Sequence, residues 1–224
     1  MLGNNLKKIR EYTKKNIELS KCHHFLFNLP LNKMHEGADA VIIGLNPGES
    51  ISDWSYTENL PTEESSDFDW KDKAGKGRSA TKWLGLCEEY IGTSKVTLSE
   101  FFYWSSKQIG NDTIKGETFK ERFGYNFKGC PHFNFCKEHN IDLINFHQPR
   151  IIIAPGTSYA DFFAKIYQLD HIKTVKCVTD SRNRKIIVHY EFMNIPFLFT
   201  PHWTSGYVSN IEKAAIKNYI TSIK

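Results

Sequence analysis

The sequence predicts an α/β protein with three layers, α/β/α, around a central, mainly parallel four-stranded sheet. Short runs of apolar, β-branched residues alternate with longer segments of helical periodicity, which is the pattern of a parallel sheet covered on both faces. Glycine and proline turns follow several of the apolar runs. The chain has 224 residues, a length that suits one domain, and we expect residues 1–224 to form it.

Apolar runs rich in β-branched and aromatic residues define the strands of the predicted sheet, because such residues favour strands. In chain order the runs cover 38–44, 96–104, 149–156 and 195–200. Two further segments, 175–179 and 185–192, alternate between apolar and polar residues on either side of a polar turn. This pattern predicts a β-hairpin.

Helical periodicity predicts helices before, between and after the strands. The predicted helices cover 6–20, 80–91, 130–146, 157–167 and 209–223. Thr157 or Ser158 is expected to cap the fourth helix. Ser209 and Glu212 have capping-box spacing at the start of the last one.

Polar side chains and glycines follow the ends of three predicted strands. The first strand runs into Gly44-Leu45-Asn46-Pro47-Gly48, another into Pro155-Gly156, and the last into Pro201-His202. Because the carboxyl ends of parallel strands share the edge where ligands bind, Asn46 and His202 are candidate site residues. Asparagine is also an ordinary turn residue. The histidine, next to Trp203, is alternatively a packed and hydrogen-bonded side chain.

Composition limits the class of protein further. No segment resembles a signal peptide or a membrane span, so we expect a cytoplasmic protein. Five cysteines, an odd and scattered number, disfavour a disulfide scaffold. The net charge of +4 permits a nucleic-acid partner without requiring one. Basic residues concentrate in the first helix and at 182–185, and acidic residues concentrate in 49–72; each cluster is alternatively a solvated face.

No metal or phosphate-loop motif is predicted. Cys130, His132, Cys136 and His139 are possible zinc ligands, but their spacing matches no common zinc site. The run Gly75–Ser79 lacks the spacing of a phosphate loop and follows no predicted strand. We therefore expect neither a metal nor another cofactor.

The ordered strand-end motifs resemble those of the uracil-DNA glycosylase superfamily, and the resemblance extends from Ala38 to Gly206. The first motif, 44–48, is similar to the mismatch-specific and single-strand-selective branches, which carry asparagine there. His202 is similar to the histidine of the single-strand-selective branch and of the most widespread uracil-DNA glycosylases. The resemblance implies a monofunctional DNA glycosylase that removes a flipped, deaminated base by direct water attack. Its partner would be single- or double-stranded DNA, and we expect a monomer.

The resemblance also implies roles for individual residues. Asn46 would position the attacking water, and His202 would hydrogen-bond a carbonyl oxygen of the departing pyrimidine. The implied substrate-binding residues are Gly44, Leu45, Pro47, Gly48, Phe68, Glu100, Thr204 and Ser205. Thr204 and Ser205 would hold flanking phosphates, which position the nucleic acid without reading its sequence. Phe68, like Trp54 and Tyr56, is a candidate to stack on the base and alternatively packs in the core.

Two positions depart from the family pattern. Glu100 stands where members of the family often place an asparagine that contacts the pyrimidine edge, and a carboxylate favours base edges that donate hydrogen bonds. The bulky residue that fills the gap in the duplex falls near Gly206 here, with Trp203 or Tyr207 as substitutes. The sequence therefore leaves the identity of the base open.

Two other classes of function stay open. One is a nucleic-acid-binding member of the fold that has lost turnover. The other is a hydrolase that acts on a free nucleoside or nucleotide. Glu100 and the acidic segment 49–72 favour the hydrolase of small substrates, whereas the basic clusters favour DNA.

Overall fold

A computed structural model describes residues 3–21, 37–46, 78–104, 106, 118–179, 182–203 and 208–223. Its α-helices are α1 (Gly3–Lys15), α2 (Arg78–Ile91), α3 (Phe119–Phe123), α4 (Phe133–His147), α5 (Ala160–Tyr167) and α6 (Asn210–Ser222). Its strands are β1 (Ala40–Gly44), β2 (Val96–Glu100), β3 (Ile151–Pro155), β4 (Asp170–Thr179), β5 (Arg182–Phe192) and β6 (Ile195–Thr200). Short 3-10 turns cover Ile17–Lys21, Phe127–Gly129 and Thr157–Tyr159.

The described strands form a six-stranded sheet in the order β2-β1-β3-β6-β5-β4. β3 pairs in parallel with β1 and with β6, whereas β5 runs antiparallel to β6 and to β4. The predicted α/β class is confirmed, but the described sheet is mixed and has six strands instead of four. The predicted hairpin is confirmed as β4 and β5, and it accounts for the two additional strands. Its second strand joins the sheet because residues 186–190 are buried.

The parallel strands are buried without alternation between the two faces. Every residue of β3 and the first four residues of β1 are buried. Such strands need cover on both sides, which is why their sequences are continuous apolar runs. The register pairs Ile42 with Ile153 and Pro155 with Thr200.

Phe101–Trp104 lie outside β2, so the predicted strand 96–104 was too long. All four side chains are buried. The ring centroid of Phe102 lies 5.0 to 5.3 Å from those of Trp104, Phe119 and Phe123. The apolar residues that predicted a longer strand belong instead to a cluster of aromatic side chains.

One predicted helix cap is confirmed and the other is wrong. The Ser209 hydroxyl accepts a hydrogen bond from the Glu212 N–H, and the Glu212 carboxylate accepts one from the Ser209 N–H, which completes a capping box. Neither Thr157 nor Ser158 caps a helix, because both lie in a 3-10 turn and α5 begins only at Ala160. The turn uses the Tyr159 N–H in a bond of 3.0 Å to the Gly156 carbonyl.

Contacts divide the chain into two compact units. The first contains α1, Asn46 and the described residues between Ser99 and Leu143, and the aromatic cluster around Phe102 forms its core. The second contains β1, Leu45, α2, the start of β2 and the chain from Ile144 onward. One hydrophobic cluster of its core includes Tyr90, Leu198, Trp203, Ile216 and Ile220. That residues 1–224 form a single domain stays a prediction.

The longest described helix, α4, has 15 residues. A membrane-spanning helix needs about 20 predominantly apolar residues. Within the described part of the chain, no helix combines the length and apolar character needed to cross a bilayer.

Candidate functional site

The parallel strands of the second unit bring three turns to one edge of the sheet. β1, β3 and β6 run in the same direction and end at Gly44, Pro155 and Thr200. The Gly156 N–H donates a hydrogen bond of 2.7 Å to the Thr200 carbonyl, which ties the turn after β3 to the end of β6. The carboxyl edge of such a sheet is where α/β proteins bind ligands.

Gly156 is the tightest point of this edge. Its φ of +132° is a backbone conformation that side chains disfavour. A Cβ atom at this position would lie 3.5 Å from Cδ2 of Leu45, at ordinary van der Waals distance. Backbone conformation, more than space, therefore requires glycine after β3, and Leu45 packs against it.

Asn46 is held by a side-chain hydrogen bond within the first unit. It follows β1 by two residues and is half-buried. Its Nδ2 donates to Oγ of Ser106 over 2.9 Å. Ser106 itself is buried. Because a buried hydroxyl fixes the NH2 end of the amide, the orientation of the Oδ1 end is fixed as well.

Asn140 of α4 holds the end of β2, where Glu100 lies. The fully buried Asn140 amide donates from Nδ2 to the main-chain carbonyl of Glu100 over 2.9 Å. Its Oδ1 accepts hydrogen bonds from the hydroxyls of Ser99 and Tyr103, the latter at 3.0 Å. A buried network of this kind fixes the backbone from which the Glu100 side chain extends.

Glu100 is half-buried as a residue, but one oxygen of its carboxyl group lies away from solvent. Its Oε2 atom is inaccessible to solvent and has no hydrogen-bond partner among the residues that the structure describes. Burial raises the pKa of this carboxyl to about 8, because a charge without a partner is unfavourable away from water. At neutral pH the group is therefore mostly protonated. The sequence predicted a carboxylate that only accepts hydrogen bonds. A protonated Glu100 carboxyl instead both donates and accepts them.

His202 and Trp203 have different environments in the second unit. His202, two residues after β6, is exposed, which argues against a packed side chain at this position. Trp203 is buried, and its ring stacks on Tyr90 with centroids 4.8 Å apart. Trp203 is therefore a core residue, and it does not fit the role of a residue that fills a gap in a duplex.

The predicted site residues fall into three groups. Asn46 and Glu100 belong to the first unit, and Gly44, Leu45 and His202 belong to the second. That Asn46 and His202 face one pocket stays a prediction. Several other candidates lie outside the described residues, namely Pro47, Gly48, Trp54, Tyr56, Phe68, Thr204, Ser205, Gly206 and Tyr207.

Asn140 is the residue that sequence reasoning missed. In α4 it lies four residues after Cys136 and three before Leu143, and both of those side chains are buried. A polar amide on the apolar face of a predicted helix indicates a buried polar group, and buried polar groups need hydrogen-bond partners. What it would contact was not readable from the sequence.

One of the histidines considered as zinc ligands, His132, contacts two other polar side chains. Nδ1 of His132 lies 2.9 Å from the Tyr12 hydroxyl, and its Nε2 lies 3.0 Å from Oε1 of Glu18. Burial raises the pKa of the Cys130 thiol to about 12 and also raises that of Cys136. Within the described ranges, no group of three or more histidine, cysteine or acidic side chains is placed to hold a metal ion.

No protein-family model matches the chain, and no curated protein matches it.

Proposed function

We propose that the protein is a monofunctional DNA glycosylase that hydrolyses the N-glycosidic bond of a flipped, deaminated base such as uracil. The observation that carries the proposal is Asn46, an amide two residues beyond a buried parallel strand and fixed by Ser106. The three-layer architecture, the cytoplasmic location, a monomeric state and the lack of a cofactor belong to the same proposal.

The chemistry requires groups that act on two developing charges. Cleavage builds positive charge on the sugar and negative charge on the departing base, and fixed polar groups stabilise such charges most effectively. In the proposal the Asn46 amide positions the attacking water. An amide is too weakly basic to take the proton outright, so stabilisation of the leaving base matters most. His202, whose ring is exposed, hydrogen-bonds the carbonyl oxygen of that base.

Glu100 is proposed to contact the base edge in its neutral form. A protonated carboxyl offers one donor and one acceptor, as an amide does. Uracil presents an N3–H donor beside a carbonyl acceptor, so a neutral Glu100 is complementary to it. The raised pKa of Glu100 thus removes the main objection to uracil that the sequence alone presents.

The direct test is base release from defined oligonucleotides. The protein is incubated with single- and double-stranded DNA that contains uracil, hypoxanthine or xanthine, and abasic sites are detected by alkaline strand cleavage. We expect cleavage of the uracil strand. Abasic product from none of these substrates would refute the glycosylase proposal.

A hydrolase of free nucleosides or nucleotides is the second candidate. A neutral carboxyl such as Glu100 would contact a base equally well outside a polymer. Deoxyuridine and its monophosphate, assayed in parallel by release of free uracil, separate the two. Turnover of these small substrates without cleavage of DNA would favour this second candidate. DNA binding without any turnover would favour a non-catalytic member of the fold.

Glu100→Gln is expected to remove a pH dependence of stability. The folded-state pKa of about 8 lies above the ordinary 4.5, so the wild-type protein loses stability as the pH rises from about 4.5 to about 8. The slope is at most about 1.4 kcal/mol per pH unit. Between pH 6 and pH 8 the wild type should therefore lose roughly 2 kcal/mol more than the variant. Urea unfolding followed by circular dichroism measures the difference.

The same substitution has a matched control and a second readout. Glu88, exposed on α2, is replaced by glutamine to give a variant with the pH profile of the wild type. If Glu100→Gln also follows the wild-type profile, the carboxyl is ionised at neutral pH. Base release by the wild type should fall above about pH 8, whereas Glu100→Gln keeps its rate.

A further inference from the structure

We propose that the free end of the β4–β5 hairpin is a docking arm for the phosphate backbone of a nucleic acid. The projecting arm consists of residues 175–179 of β4 and 182–186 of β5. The proposal deepens the proposed function, because it identifies a surface on the chain that favours a polymer over a free nucleoside as the ligand.

The strand register shows that the arm extends beyond its neighbour. β5 pairs with β6 from Phe192 opposite Ile195 to Val188 opposite Phe199. β6 ends one residue later, at Thr200, so residues 182–186 of β5 extend past that end, and residues 182–185 are paired with β4 there. The arm therefore projects at the carboxyl edge of the sheet, where the turn before His202 lies.

The arm holds an exposed pair of like charges. Lys176 and Lys185 lie directly opposite each other in the β4–β5 register, and both are exposed. Like charges in this position repel and destabilise a sheet. No ion pair is found for either lysine within the described part of the chain. An anion bound between them would turn the repulsion into attraction.

Protection of a sheet edge does not account for this arrangement. β4 is the outer strand, and lysines such as Lys173 and Lys176 commonly discourage edge-to-edge pairing. That purpose is served by lysines spread along the edge. Protection of the edge gives no reason to place Lys185 in register with Lys176, where the two positive charges repel each other. The edge lysines also argue against a second copy of the chain as the occupant.

The middle of the arm is anchored on the opposite face. Arg184 forms two hydrogen bonds with the carboxylate of Glu212 on α6, and its in-register partner Cys177 belongs to the core of the second unit. Since neighbouring residues of a strand point to opposite faces, Lys185 and Lys176 point away from α6. Two cations on an anchored strand pair suit repeated phosphates, which are bound largely through charge.

Chain composition near the tip supports the same partner. Between Val175 and Ile186 the chain has four basic residues and one acidic residue, Asp180. Arg182 stands opposite Thr179 in the register, at the outer end of the described ladder. The charge balance thus remains positive even after Arg184 is neutralised by Glu212.

The test measures binding separately from base release. Fluorescence anisotropy with a fluorescein-labelled oligo(dT) strand, which contains no uracil, gives Kd as a function of salt. Lys176→Gln/Lys185→Gln is expected to weaken binding about tenfold at low salt and to reduce the slope of log K against log salt by about 0.7 per lysine, the value for single strands. Lys165→Gln/Lys217→Gln, which removes two exposed charges from α5 and α6, is the control and should change Kd by less than about twofold.

The outcomes separate this proposal from the proposed function. Equal Kd and equal salt slopes for the two double variants would overturn the arm as a docking surface, whatever the protein does to uracil. If the wild type releases no base but binds oligo(dT) in a way that depends on Lys176 and Lys185, only the glycosylase proposal is refuted. The melting temperature of Lys176→Gln/Lys185→Gln should not fall, because the substitution relieves repulsion. A wild-type dimer that this variant converts to a monomer in sedimentation would identify a second copy as the occupant and overturn the proposal.

Discussion

Asn46→Ala is expected to lower the rate of base release by about 10²- to 10³-fold while the protein stays folded. Asn46 is half-buried, and its Nδ2 donates a hydrogen bond to Ser106. Loss of that bond should cost only about 1 kcal/mol of stability. The effect on rate is large because a water molecule that no group orients rarely attacks the sugar in line. Single-turnover assays on a uracil-containing strand measure it.

Two companion variants distinguish water positioning from a merely structural role. Asn46→Asp keeps an oxygen that accepts a hydrogen bond from water and should retain far more activity than the alanine variant. Ser106→Ala leaves the amide but releases its Nδ2, so an intermediate loss is expected. A full rate for Asn46→Ala would refute the assigned role, as would equal losses in the alanine and aspartate variants. Binding of uncleaved DNA should survive all three.

His202→Ala provides an independent measure of leaving-group stabilisation. Because the side chain is exposed, its removal should not lower the melting temperature. If Asn46 and His202 act in one reaction, the double variant should lose much less than the product of the single losses, as residues that act as a unit do.

The elements that were predictable from the sequence are those fixed by local pattern. β1, β3 and β6 are continuous apolar runs that end in Gly/Pro turns, and the hairpin alternates on both sides of its turn. The capping box at Ser209 follows a spacing that holds in isolated helices as well as in proteins. Burial on both faces, tight turns and helix caps each depend on a few neighbouring residues. The local sequence pattern is therefore enough to predict them.

The features that escaped prediction depend on tertiary contacts. β2 stops at Glu100 because the aromatic side chains after it pack against α3 and α4, which lie 15 or more residues further along the chain. The raised pKa of Glu100 follows from the burial of its carboxyl group, and nothing adjacent in sequence reports that burial. Asn140 had a visible polar signal, but its partners lie about 40 residues earlier in the chain.

Arg184→Gln is expected to reduce the free energy of unfolding by about 3 to 5 kcal/mol, because it leaves a buried carboxylate without its cation. Glu212 is 1% exposed, and both of its oxygens accept hydrogen bonds from the Arg184 guanidinium. Those bonds, more than any other cause, lower the pKa of Glu212 to about 2. The same carboxylate accepts the Ser209 N–H at the start of α6, so the ion pair and the helix cap depend on one group.

The pH dependence gives the sign of the effect. Glu212 has a folded-state pKa below its ordinary 4.5, so its contribution is present at neutral pH and is lost as the pH falls from about 4.5 to about 2. The wild type should therefore unfold more readily in acid over this range. In Arg184→Gln the pKa of Glu212 moves back up, and the difference in stability between variant and wild type should shrink as the pH falls.

A second ion pair of the chain supplies the control. Arg150 approaches Asp39 at 3.3 Å, but its side chain is 62% exposed, and solvent-exposed pairs contribute little. Arg150→Gln should thus cost less than about 1 kcal/mol in the same urea titrations at pH 7. Equal losses for the two variants would mean that Glu212 is accessible to water. A large loss of stability confined to Arg184→Gln would show that the Arg184–Glu212 ion pair, which anchors the arm, is also a principal stabilising contact between β5 and α6. Any effect of Arg184 on nucleic-acid binding would then come from a loosened arm, since its charge is already paired.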